Sequence, residues 1–133
     1  MKFVDTNIFI RLLTNDVPEK ARRCEELFKA AIKNEEELYT SELVIAEIVW
    51  VLESYYGLPK IKVKEKVEKI LNTHNLFCPN KDILYESLVD YFLKDIDFID
   101  AYNAALMKRK NILKIFSYDS DFDKISSIKR IEP

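Results

Sequence analysis

The sequence predicts an α/β fold built around a parallel sheet of four to five strands, with helices on both faces. Short apolar segments typical of strands alternate with longer segments of helical periodicity, and this alternation indicates βαβ units. The chain has 133 residues, 48% of them hydrophobic, which is enough to bury one core, so we expect a single domain over residues 1–133. No repeat, low-complexity tract or linker interrupts the pattern.

Local signals predict the elements of the first half. Pro18 suits the first position of a helix, Ser41 suits an N-cap, and Gly57 suits a helix end. Apolar residues at helical spacing support the second helix and are expected on its inner face: Ala21, Cys24, Leu27, Phe28, Ala31 and Ile32. In order, we expect a buried strand at 2–5, helices at 7–13 and 19–33, a strand at 38–40 and a helix at 41–56.

The second half repeats the alternation. The charged segment 60–72 has the spacing of an amphipathic helix and turns four apolar residues inward: Val63, Val67, Ile70 and Leu71. A strand at 76–78 follows, then a helix that begins at Asn80. The remaining expected elements are a helix at 98–110 and strands at 112–116 and 128–131.

Composition excludes several kinds of site. Gly57 is the single glycine, so the chain lacks the glycine-rich loops that hold phosphate in P-loop and dinucleotide-binding proteins. His74 is the single histidine, which excludes sites that need two imidazoles. Cys24 and Cys78 lack metal-site spacing, and we expect both to be reduced thiols. The net charge of −2 does not by itself indicate a nucleic-acid partner.

The sequence offers no segment suited to a membrane span or a leader peptide. Its longest apolar run, residues 43–52, is far shorter than a span and contains Glu47. Met1-Lys2 leads directly into the first expected strand, which leaves no room for a leader. We therefore expect a cytoplasmic protein with no membrane partner.

Four acidic residues occupy unusual positions. Asp5 ends the first expected strand, at the sheet edge where α/β proteins bind ligands. Glu47 lies mid-helix among apolar neighbours, where a polar pocket explains it better than a solvent-exposed strip. Asp100 falls in the first turn of a helix, and Asp119 follows an expected strand. Because an unpaired buried carboxylate is costly, four acids on four elements predict one shared cation site.

Several of these acids also have a structural explanation. Asp5 suits the cap of the helix that follows it. Asp97 and Asp100 together resemble a capping box, in which Asp97 is the N-cap. Asp119 and Asp121 both suit a turn, and the choice between them for the fourth site acid stays open.

A divalent cation explains why a fold would gather carboxylates. Two carboxylates about 4 Å apart repel by roughly 4 kcal/mol at an effective dielectric constant of about 20, and one of them would otherwise take up a proton. Mg²⁺ or Mn²⁺ relieves this repulsion, prefers oxygen ligands and leaves coordination positions for water and a phosphate oxygen. The acid set therefore predicts metal-assisted attack of water on phosphorus.

Four segments resemble, in order, the motifs of PIN-domain ribonucleases. They are Asp5-Thr6-Asn7, Ala46-Glu47, Asp97-Phe98-Ile99-Asp100-Ala101 with Ala104-Ala105, and Ser117-Tyr118-Asp119-Ser120-Asp121-Phe122. Each is weak alone, but together they span the chain and are fairly specific. The chain most resembles the small VapC-type toxins of toxin–antitoxin pairs. Ser117 stands where threonine is common, which keeps the hydroxyl.

The resemblance implies a three-layer α/β/α sandwich and an Mg²⁺- or Mn²⁺-dependent endoribonuclease that forms a homodimer and is inhibited by a cognate antitoxin. It implies that Asp5 and Asp100 are the strongest metal ligands and that Glu47 and Asp119 complete the catalytic acidic pocket. Other polar residues are expected to orient ligands or contact substrate: Thr6, Asn7, Arg11, Asp97, Ser117 and Asp121.

Rival classes fit less well. A phosphoacceptor receiver domain needs adjacent acids after the first strand and an aspartate after the third, where this chain has Asp5 alone and Cys78-Pro79. A haloacid-dehalogenase-type phosphatase needs an aspartate at Asn7. The remaining alternative is a non-catalytic RNA- or protein-binding module with the same fold. The complete acid set argues against it, because a degenerate site would be free to lose ligands.

Two surface features predict partners. Arg11, one helical turn into the first helix, is placed to contact a phosphate of the RNA substrate. The helix that carries Trp50, Tyr55 and Tyr56 is apolar nearly all round, as in a core or an interface. We expect part of its surface, with the helix at 60–72, to form the homodimer contact.

Overall fold

Five parallel strands and six α-helices alternate along the chain, which confirms the predicted α/β class. The computed structural model describes residues 1–133 and separates them into two units, Met1–Lys81 and Asp82–Pro133. Among the helices, none combines the length and the apolar composition needed to cross a lipid bilayer.

The first unit contains a three-stranded parallel sheet and four helices. Its strands lie in the order β1-β2-β3, with Lys2 opposite Leu38 and Leu38 opposite Leu76. Two helices connect each pair of neighbouring strands, as expected for parallel pairing. In chain order the elements are β1 (Lys2–Phe3), α1 (Thr6–Thr14), α2 (Pro18–Ile32), β2 (Leu38–Tyr39), α3 (Glu42–Ser54), α4 (Lys60–Leu71) and β3 (Leu76–Phe77).

The predicted start and stop signals account for the helix bounds. Pro18 is the first residue of α2, where its missing N–H costs no hydrogen bond. The Ser41 hydroxyl caps α3 by accepting a hydrogen bond of 3.2 Å from the backbone N–H of Val44. Gly57 follows α3 with a φ of +65°, in the left-handed region that favours glycine.

The core of the first unit lies between its helices and its sheet. Helix α1 packs against α2 and α3, and α3 packs against α4. The rings of Phe9 and Phe28 join α1 to α2, with their centroids 5.4 Å apart. The inner face predicted for the helix at 60–72 is confirmed, because all four of its apolar residues are buried: Val63, Val67, Ile70 and Leu71.

Two predicted burials are wrong. Phe3 was expected in a buried strand but is 59% exposed, because β1 is an edge strand and successive side chains point to opposite faces. Val4, the next residue, is the one that reaches the core. Ile32 was expected on the inner face of α2 but is exposed, since it is the last residue of that helix.

The second unit contains two helices, two strands and a short 3-10 helix. In chain order they are α5 (Lys81–Leu93), α6 (Phe98–Arg109), β4 (Lys114–Phe116), the 3-10 helix Ser120–Lys124 and β5 (Lys129–Ile131). The rings of Tyr91 and Phe98 meet edge to face, with centroids 6.1 Å apart, and join α5 to α6. Phe122 and Ile125, in and just after the 3-10 helix, are also buried.

The five strands form two sheets, so the predicted single sheet of four to five strands overstates the strand count. The first sheet has three strands, and the second pairs β4 with β5 over Lys114–Phe116 and Lys129–Ile131. In both sheets, each strand pairs with its neighbour in chain order, as expected where a crossover segment holds consecutive strands together.

Leu52 provides a direct test of the first core. It is fully buried in α3, and truncation leaves a cavity, so we expect Leu52→Ala to lower the free energy of unfolding by about 2–5 kcal/mol. Leu93 at the end of α5 is 70% exposed, and Leu93→Ala should change stability by no more than about 0.5 kcal/mol. Urea denaturation followed by circular dichroism measures both; equal stabilities of the two variants would contradict this packing.

Candidate metal centre

Three carboxylates of the second unit meet at one point. Asp100, Asp119 and Asp121 each present a carboxylate oxygen, and these oxygens lie within 4.8 Å of one another. Asp100 and Asp121 are half-buried, whereas Asp119 is exposed. Both candidates for the fourth acid, Asp119 and Asp121, thus lie beside Asp100.

Helix α6 positions Asp100. Phe98 and Ala101 are buried and hold the first turn of the helix in place, which leaves Asp100 facing the carboxylate cluster. Asp97 occupies the N-cap position as predicted, but its side chain makes no capping hydrogen bond. The capping explanation for Asp97 is therefore wrong, and its charge adds to the field at Asp100 instead.

The segment after β4 positions the other two acids. The backbone N–H of Asp119 donates a hydrogen bond of 3.0 Å to the Ser117 hydroxyl. The Asp119 carboxylate in turn accepts a hydrogen bond of 2.9 Å from the backbone N–H of Asp121. Phe122 is buried next in the chain and anchors the turn. The hydroxyl of Ser117 and the side chain of Phe122 therefore fix the direction of both carboxylates.

Burial and crowding raise the pKa of Asp100 from 3.8 to about 6. Burial is the largest cause, followed by a hydrogen bond with Asp119 and by the negative charges of Asp119, Asp97 and Asp121. A hydrogen bond between two carboxyl groups needs a proton on one of them, so without a cation the cluster takes up a proton only as the pH falls below about 6. Such a donor set, three hard oxygens in mutual repulsion, fits Mg²⁺ or Mn²⁺.

In the first unit, Asp5 caps a helix. Its carboxylate accepts a hydrogen bond of 2.8 Å from the backbone N–H of Thr6 at the start of α1. Asp5 is exposed, as is Glu47 on α3, so neither is the buried carboxylate that the sequence suggested. Both helix surfaces reach solvent at these positions, and the carboxylates remain hydrated at little cost.

Glu47 lines a polar cavity of about 300 Å³ in the first unit. Thr6, Asn7 and Arg11 of α1 line it as well, which brings together four residues predicted for the site. The Thr6 hydroxyl oxygen is buried and has no hydrogen-bond partner. An unpartnered hydroxyl is costly in a folded protein and is typical of a site that awaits a polar ligand.

Asp16 and Tyr56 also line this cavity, and sequence reasoning missed them. The Tyr56 hydroxyl donates a hydrogen bond of 2.7 Å to Asp16, which also accepts bonds from Thr14 (3.0 Å) and Arg11 (3.1 Å). The bond from Tyr56 is the main reason that the pKa of Asp16 lies below its ordinary value. No local signal pairs residues 40 positions apart, so this network could not be read from the sequence.

Fold and cluster together define an α/β protein with parallel strands and a candidate divalent-cation centre after a strand end. A family model described as "PIN domain" matches residues 2–128. The chain belongs to the PIN domain family, as its four motifs indicated.

Comparison with known proteins finds a relative by sequence and solved structures of low similarity. The chain is 28% identical over 133 residues to a "VapC ribonuclease" from Aquifex aeolicus (strain VF5), which covers 100% of this chain and 97% of the relative. It is also similar to the crystal structure of VapC20 from Mycobacterium tuberculosis, titled a sarcin–ricin loop cleaving toxin, with 20% identity, TM-score 0.40 and 100% coverage of both chains. A toxin–antitoxin complex from Klebsiella pneumoniae matches at 19% identity and TM-score 0.36, covering 96% of this chain and 94% of the other. Because both TM-scores are low, the family assignment rests on the family model.

Proposed function

We propose that this protein is a divalent-metal-dependent endoribonuclease and the toxin of a toxin–antitoxin pair. The observation that carries the proposal is the meeting of the Asp100, Asp119 and Asp121 carboxylates within 4.8 Å. Membership of the PIN domain family and similarity to a protein named VapC ribonuclease support it. A cytoplasmic location is part of the proposal, because the proposed RNA substrate is found there.

The carboxylates have distinct tasks in the proposed hydrolysis. Asp100 and Asp119 would hold Mg²⁺ or Mn²⁺, with Asp121 as a further oxygen donor; Asp5 and Glu47 are also proposed ligands. When bound, the cation supplies positive charge that offsets the charge developing on the phosphate. An ionised carboxylate beside the scissile bond accepts a proton from the attacking water while the water oxygen bonds to phosphorus. The phosphorus–ester oxygen bond breaks, and the leaving oxygen takes up a proton.

Cleavage assays with defined RNA test this function. Purified protein is incubated with structured and single-stranded RNA in Mg²⁺, in Mn²⁺ or in chelator. We expect cleavage with either cation and none with chelator, since the carboxylate cluster alone repels phosphate. Cleavage that continues in chelator would rule out metal dependence. Metal-independent binding with no cleavage of any RNA would instead favour the non-catalytic binding module.

The homodimer is proposed on the exposed face of α3. Leu43, Trp50 and Tyr55 are 81%, 65% and 78% exposed, and apolar surface of this kind favours burial against a partner. Helix α4 packs beside α3 and would extend the contact. Sedimentation should show a dimer at micromolar concentration that Trp50→Glu converts to monomer; a monomeric parent would contradict this contact. The cognate antitoxin is a second proposed partner.

A further inference from the structure

We propose that a second cavity of the first unit binds neighbouring phosphates of a single-stranded RNA segment beside the cavity of Glu47. This inference rests on the proposed function and names a substrate-binding subsite for it. The subsite, called the basic cavity below, has a volume of about 430 Å³ and is lined by Asn7, Ile8, Arg11, Lys20, Arg23 and Cys24.

Three cations give the basic cavity its charge. Arg11 comes from α1, whereas Lys20 and Arg23 come from the first two turns of α2. No acidic side chain lines it, although the chain as a whole carries a net charge of −2. A concave surface lined by charges of one sign concentrates ligands of the opposite sign, so the cavity attracts anions.

The cations remain available to a ligand. Lys20 has no ion-pair partner, and Arg23 pairs with Glu19 at 2.9 Å where both side chains are about 70% exposed. Arg11 pairs with Asp16 at 3.1 Å. Exposed ion pairs contribute roughly 0–1 kcal/mol, so a phosphate can replace the carboxylate partners at little cost.

Two residues connect this subsite to the cavity of Glu47. Asn7 and Arg11 line both the basic cavity and the cavity of Glu47, so one extended ligand can occupy the two. The buried Cys24 and the half-buried Ile8 add an apolar wall beside the cations. An RNA strand alternates charged phosphates with less polar bases and therefore matches a cation-and-apolar lining.

An acidic peptide is the competing ligand of the same charge. An acidic peptide that spans both cavities would place further carboxylates in the neighbouring one, where the carboxylates of Glu47 and Asp16 repel them. In RNA, a neutral ribose and base separate each phosphate from the next. The observations therefore favour RNA, and a poly-glutamate peptide serves as the second probe in the test.

The test measures binding without cleavage, in full-length protein that carries Asp100→Asn. Fluorescence anisotropy with a labelled single-stranded RNA of about twelve nucleotides gives affinity over a range of salt concentrations. Lys20→Ala/Arg23→Ala should weaken binding about 25-fold at about 0.1 M salt and reduce the slope of log affinity against log salt by about 1.4, or about 0.7 for each lost phosphate contact. The circular dichroism spectrum should stay unchanged.

A matched double variant controls for charge. Arg22→Ala/Lys29→Ala removes two cations from the same helix, and neither lines the basic cavity. Each is paired with a glutamate four residues away, as Arg23 is with Glu19. We expect it to leave the salt slope within error of the parent. If both double variants lose RNA affinity equally, the effect comes from net charge alone and the proposal is overturned. An unchanged RNA affinity of Lys20→Ala/Arg23→Ala would also overturn it.

The remaining outcomes separate this subsite from the proposed function. Binding of poly-glutamate, but not RNA, that depends on Lys20 and Arg23 would overturn the RNA assignment. If the parent protein cleaves no RNA but binds it in a way that depends on Lys20 and Arg23, the subsite is supported and the proposed hydrolase activity is rejected. If the parent cleaves RNA but its RNA affinity does not depend on Lys20 and Arg23, the hydrolase activity is supported and the subsite is rejected.

Discussion

Asp100→Asn is expected to reduce RNA cleavage by about 100-fold or more. Asparagine keeps the shape of the side chain but removes its negative charge, and with it a principal ligand for the cation. Removing one group that stabilises developing charge typically costs about 100- to 1,000-fold in rate. Single-turnover cleavage with saturating protein measures the chemical step separately from RNA binding.

Asp90→Asn is the matched control for this variant. Asp90 is a half-buried aspartate of the same unit, but it pairs with Lys94 at 3.4 Å and lies outside the cluster. Its loss should leave the cleavage rate within about twofold of the parent, because a partly exposed ion pair contributes little. Equal rates for Asp100→Asn and the parent would falsify the assignment of Asp100 as a metal ligand.

The second large effect is a dependence of metal binding on pH. Because the pKa of Asp100 is raised to about 6, a proton competes with the cation below that pH. Mg²⁺ affinity should fall about tenfold between pH 7 and pH 5, the range in which the ionised fraction of a group with that pKa falls by the same factor. Isothermal titration at several pH values measures it. A flat profile would contradict the crowded cluster, and Asp100→Asn should show little of the dependence.

The stability of the metal-free protein should change with pH in the opposite sense. A carboxyl with a folded pKa of about 6 and an unfolded pKa near 3.8 binds its proton more tightly in the folded state. The free energy of unfolding therefore falls as the pH rises from about 3.8 to about 6, and this contribution stays lost at higher pH. In chelator at pH 7, thermal melting of Asp100→Asn should occur at or above the parent temperature, because the variant lacks the repulsion.

The sequence predicted the order of the elements well because the signals that start and stop helices are local. Pro18, Ser41 and Gly57 fix helix ends through their own backbone and side-chain chemistry. The grouping of strands into sheets was predicted less well, since periodicity within a strand of two or three residues does not specify its partner. The predicted burial of Phe3 was wrong for a related reason, because the position of β1 at the edge of its sheet depends on the whole sheet and not on the local sequence.

The site was predictable where residues follow a recognisable motif. Asp100, Asp119 and Asp121 were all named from the sequence, and the structure brings them together. The exposure of Asp5 and Glu47 was not predicted, because burial depends on how helices pack. Ligation by these two acids stays a prediction. The hydrogen bond of Tyr56 to Asp16 joins distant positions and has no signature in a single sequence.

Binding of Mn²⁺ tests most directly whether the carboxylate cluster is a cation site. Electron paramagnetic resonance, which separates free from bound Mn²⁺, is applied at pH 7 to the parent, Asp100→Asn and Asp90→Asn. We expect tight binding to the parent and Asp90→Asn, with about tenfold or greater weakening in Asp100→Asn, as is typical when a group supporting a metal is lost. Equal Mn²⁺ binding by all three proteins would contradict the central claim.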